Sequence, residues 1–65
     1  MSISYDKLWK LMIDKKMNKT QLRNAAKIST NAVAKLSKDE AVSLDTLYKI
    51  CGVLNCDIGD ILHFE

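Results

Sequence analysis

The chain has 65 residues, of which 48% are apolar, with ten Lys and Arg against eight Asp and Glu, two Gly, two Cys and no Pro. That length leaves room for one small domain, spanning 1–65, whose core must be used efficiently. An abundance of Leu, Ile, Met, Ala and Lys predicts an all-α fold, and the aliphatic run Leu11-Met12-Ile13 is far too short to cross a bilayer.

Read in chain order, one local pattern recurs: an apolar residue, a capping residue, and a second apolar residue five positions after the first, the hydrophobic staple around a helix N-cap. It occurs at Ile3-Ser4-Leu8, Met17-Asn18-Leu22, Ile28-Ser29-Val33, Val42-Ser43-Leu47 and Cys56-Asp57-Ile61. The spacing predicts five helices, over about 5–15, 19–26, 30–37, 44–54 and 58–62. Asn18 with Gln21 has capping-box spacing, and Asp57 with Asp60 is a weaker relative of it. Helical periodicity assigns Leu8, Leu11, Met12, Leu22, Ala25, Ala26, Val33, Leu36, Leu47, Ile50, Cys51 and Leu54 to the core. Ile58, Ile61, Leu62 and Phe64 form a last apolar group that covers the base of the core or meets a second subunit.

Charge is divided along the chain. Residues 1–38 hold nine basic and two acidic side chains, a balance of +7, whereas 39–65 hold one basic and six acidic ones, a balance of −5. Such polarity suits a basic face for a polyanion, although solvated helix surface also accommodates it. The second and third predicted helices are separated by Lys27-Ile28-Ser29, the format of a helix-turn-helix over about 19–37. In this reading Ala25 and Ala26 let the helices cross closely, Ile28 enters the core and Ser29 caps the third helix.

Val33 and Leu36 would then point inward and Thr30, Asn31, Ala34, Lys35 and Lys38 outward. Asn offers a donor and acceptor pair to adenine, Thr a methyl or hydroxyl, and Lys a donor to guanine or phosphate. The helix starts add backbone N–H groups, with Asn18, Lys19 and Ser29 beside them and Lys16 and Lys38 as further strand contacts. Arg23 faces outward toward a strand or an acid.

These residues resemble those of the phage repressor and Cro-like helix-turn-helix regulators, particularly the small stand-alone regulators of Gram-positive bacteria. The likeness runs from Tyr5 to about Phe64 and is carried by "NKTQLRNAAKISTNAVAKLSKDEAVSLDTLYKICGVLNCDIGDIL". It implies a compact five-helix lambda-repressor-like domain in which Thr30, Asn31 and Lys35 read bases, while Asn18, Lys19 and the segment around Lys38 hold the strand. Two positions usually filled by Gly carry Lys27 and Asp39 instead, and Arg23 stands where a small residue is usual. At the first two the backbone either avoids positive φ or accepts it at a cost of roughly 1 kcal/mol each.

The expected function is sequence-specific binding of double-stranded DNA by a transcriptional regulator, a repressor, working as a homodimer on an inverted-repeat operator. Ile58, Ile61, Leu62 and Phe64 are the expected dimer surface. A protein-binding module, such as an antitoxin or regulatory partner using that same apolar end, is the competing class. Cys51, Cys56 and His63 match no common zinc spacing, so the thiols are read as reduced packing groups. Tyr5 and Trp9 are assigned to packing. With one His and no Gly-rich phosphate loop, no enzyme, cofactor or small-molecule ligand is expected. No apolar leader follows Met-Ser-Ile-Ser, and a soluble cytoplasmic protein is expected.

Overall fold

A computed structural model describes residues 2–65. Four helices follow one another, α1 (Asp6–Asp14), α2 (Lys19–Ala26), α3 (Thr30–Ser37) and α4 (Leu44–Leu54), and a 3-10 turn covers Ile58–Asp60. A two-residue strand at each end, β1 (Ile3–Ser4) and β2 (His63–Phe64), pairs antiparallel with Ile3 opposite Phe64 and Ser4 opposite His63. Among the described residues, α2, α3 and α4 lie where the staples predict them.

The fifth predicted helix is corrected to the 3-10 turn. Asp60 N donates to Asp57 O at 2.9 Å and Ile61 N to Ile58 O at 3.1 Å, the tighter i to i+3 pattern. Gly59 lies in the middle of this short segment and weakens helix formation there, and the chain then extends into β2. The start of α1 is corrected too. Ser4 is buried in β1, one residue before the N-cap, and its Oγ accepts the Asp6 N–H at 3.4 Å; Tyr5 occupies the N-cap position without a side-chain bond.

Tyr5 instead fastens the start of the chain to the turn after α3. Its hydroxyl donates to the Glu40 carbonyl at 2.8 Å and its N–H to Asp39 Oδ1 at 3.3 Å. The ring is buried with Leu8, Met12, Leu22, Ala26, Ile28, Leu36, Leu47, Ile50, Leu54 and Ile61 in one core. Leu11, Val33 and Cys51 are half-buried against it. Ala25 is exposed and lies outside the core, whereas Ala26 and Ile28 are buried in it.

Ile61 is 0% exposed and Leu62 half-buried, which removes both from the expected dimer surface. They seal the core because the 3-10 turn folds back on α4. Large apolar side chains face solvent elsewhere, at Ile13, Leu44, Tyr48, Ile58 and Phe64. No helix among the described residues is long and apolar enough to cross a membrane.

Candidate nucleic-acid interface

The backbone is left-handed at both places where the sequence lacks the usual Gly, after α2 and after α3. Lys27 has φ 56° and ψ 44°, and the following Ile28 N–H reaches back to Arg23 O at 3.2 Å. That cap turns the chain within three residues and lets Ser29 begin α3, its Oγ accepting Ala32 N–H at 3.1 Å. Asp39, after α3, has φ 54°. Both backbones therefore take the strained alternative.

Leu36 is fully buried and Ala32 and Val33 half-buried, so one side of α3 is fixed to the core. Thr30, Asn31, Ala34 and Lys35 are exposed on the other. Asn31, Ala34 and Lys35 are spaced i, i+3, i+4 and share a face. Among the described residues, the ion pairs join Lys49 to Asp45 and His63 to Glu65, so Lys35 and Lys38 have no carboxylate partner.

Asn18, Ser29 and Lys38 are exposed around this face. Asn18 forms both bonds of the capping box, accepting Gln21 N–H at 2.8 Å on Oδ1 and giving its own N–H to Gln21 Oε1 at 2.9 Å. Its amide NH₂ remains available as a donor, as does the Ser29 O–H. Lys19 is less free than its sequence position implies. Its Nζ donates to Ser37 Oγ at 3.0 Å and lies 4.7 Å from the centroid of the Trp9 ring. Lys16 is exposed and Arg23 half-buried.

Ser43 and Thr46, at the start of α4, were not anticipated here. With Ser29, Asn31, Lys35 and Val42 they line a depression of about 190 Å³ between α3 and α4. The signal was present in the Val42-Ser43-Leu47 staple, since a helix N-terminus is an anion site, but its nearness to α3 is a tertiary fact. Cys51, Cys56 and His63 are not gathered into a metal cluster, and among the described residues no group of three or more potential ligands is.

A model of the Cro/C1-type HTH DNA-binding domain matches residues 7–65. No match was found among curated proteins. Among solved structures the chain is similar to the crystal structure of the transcriptional regulator VanUg, Form II, with 53% identity and a TM-score of 0.92 over 95% of this chain and 83% of that one. An exposed second helix of a helix-turn-helix, set on a core that the family model spans nearly end to end, places the chain in the Cro/C1-type HTH DNA-binding domain family.

Proposed function

We propose that this protein is a sequence-specific transcriptional regulator, a repressor, that reads the major groove of double-stranded DNA with α3. The observation that carries the reading is the two-sidedness of α3: Leu36 is buried while Thr30, Asn31, Ala34 and Lys35 face solvent without acidic partners. Eight residues make a rod of about 12 Å, a length that suits the major groove. Asn18, Lys19, Ser29 and Lys38, with the open N-termini of α2 and α3, are proposed to hold phosphates on either side. The regulator title of the VanUg structure supports the same reading. Selection from a random duplex pool, followed by sequencing of the bound fraction, tests it: one enriched motif is expected, and an unenriched pool rejects it.

We further propose a homodimer on an inverted repeat with half-sites about one turn, 10 to 10.5 base pairs, apart. Support comes from α4, where Leu44 and Tyr48 are 71% and 76% exposed beside Ile58. These side chains line an open depression of about 630 Å³ that Lys49 and Asp57 also border. The same apolar face supports the competing reading of a protein-binding module. The two separate in the pool experiment, where a palindromic motif favours the dimer and absence of duplex binding favours the module.

A further inference from the structure

Cys51 and Cys56 are joined by the cap that ends α4. Asn55 takes a left-handed conformation, with φ and ψ both 53°, and the Cys56 N–H bonds to the Cys51 carbonyl at 3.1 Å. This is the 6→1 bond of a Schellman motif, in which those two positions bring their side chains together. Standard bond lengths across that hydrogen bond hold the two Cα atoms within about 7 Å, the reach of a disulfide. Both are half-buried and line the open depression on α4, where a small molecule has access to them whenever the proposed dimer is dissociated.

We propose that Cys51 and Cys56 form a dithiol site that reduces low-molecular-weight disulfides and closes to a Cys51–Cys56 bridge. Cys51, as its thiolate, attacks one sulfur of the small disulfide, breaking its S–S bond and releasing one small thiolate. Cys56 then loses its proton and attacks the Cys51 sulfur of the mixed disulfide, expelling the second small thiolate. Two protein thiols are oxidised, one disulfide is reduced to two thiols, and the two protons pass through solvent to those products. Burial raises both thiol pKa values, Cys56 to about 11, so the exchange is slow near neutrality and faster in alkaline buffer. The site does not depend on duplex recognition, and its failure leaves that reading untouched.

The test is intact mass analysis of the full chain after incubation with oxidised glutathione in mildly alkaline buffer, without reductant. The wild type is expected to lose two hydrogens, carry no adduct and release two glutathione molecules per chain. Cys51→Ser and Cys56→Ser are each expected to stop at one stable glutathione adduct, with helicity checked by circular dichroism. Cys51→Ala and Cys56→Ala replace any variant that fails to fold. A wild type that keeps glutathione, links covalently to a second chain, or stays unmodified overturns the proposal.

Discussion

Lys19 at the start of α2 donates from Nζ to Ser37 Oγ at the end of α3, 3.0 Å away, and the Ser37 hydroxyl donates in turn to the Val33 carbonyl at 3.1 Å. An ammonium carries three donors, so one bond to Ser37 leaves others for a phosphate. The link joins the proposed strand-holding helix to the proposed base-reading helix.

Lys19→Met is therefore expected to weaken binding to every duplex alike and to flatten the salt dependence by a slope of about 0.9. Ser37→Ala, which removes the link and spares the charge, is expected to leave that slope unchanged. Fluorescence anisotropy across a salt series measures both. A loss confined to one sequence in Lys19→Met argues against a phosphate role.

Asn31→Ala is expected to cost about 1 to 3 kcal/mol, concentrated at one base position. The readout is the motif recovered from a duplex pool, in which that position should lose its preference while the others keep theirs. Asn31 is exposed, so stability in urea should hardly change.

Lys27→Gly relieves a left-handed non-Gly residue and is expected to stabilise the fold by up to about 1 kcal/mol in urea unfolding. Asp39 has the same strain, but its carboxylate accepts the Tyr5 N–H at 3.3 Å. Asp39→Gly should consequently gain less than Lys27→Gly. Equal gains would show that the Tyr5 contact contributes nothing.

Core and association surface are separable by mutation. Ile61→Ala removes a fully buried side chain and should cost about 2 to 5 kcal/mol of stability. Tyr48→Glu, at an exposed position, should leave stability nearly unchanged while shifting the sedimentation of the protein toward monomer. A folded Tyr48→Glu variant that still sediments as a dimer removes α4 from the proposed interface.

Alkali should destabilise the protein over two overlapping ranges. Burial raises the thiol pKa of Cys51 and Cys56 above 9.0, Cys56 to about 11, and raises that of the Tyr5 phenol above 10.0. In each case the folded state keeps its proton longer than the unfolded state, so the stabilisation is complete below the unfolded pKa and disappears as pH rises through the folded one. Thermal unfolding followed from pH 8.5 upward should show Tm falling first with the thiols. Tyr5→Phe should abolish the later fall alone, while losing the bond to the Glu40 carbonyl.

What the sequence made legible was local chemistry. Asn18, Ser29 and Ser43 each cap the helix that their staple announced, because the cap and its N–H partners lie within three residues. The outward face of α3 followed from its period for the same reason. The ribbon of Ile3–Ser4 with His63–Phe64 did not, since two-residue strands carry no alternation and their partners lie at opposite ends of the chain. Ser4 is drawn out of the N-cap position by its pairing in that ribbon, so Tyr5 takes the position while Ser4 Oγ still accepts the Asp6 N–H. Ile61 had the right hydrophobicity for core and for interface alike, and only the fold of the 3-10 turn against α4 decides between them.

The ribbon also makes the molecule a near-closed ring. Ser2 and Glu65 exchange backbone bonds, Glu65 N to Ser2 O at 2.8 Å and Ser2 N to Glu65 O at 3.2 Å, so the covalent gap between them is short enough for a few glycines to span. A circular permutant joined there and opened beside the exposed Ala41 keeps every helix and its caps. The order in which the helices are synthesised is thereby separable from the surface that they build together.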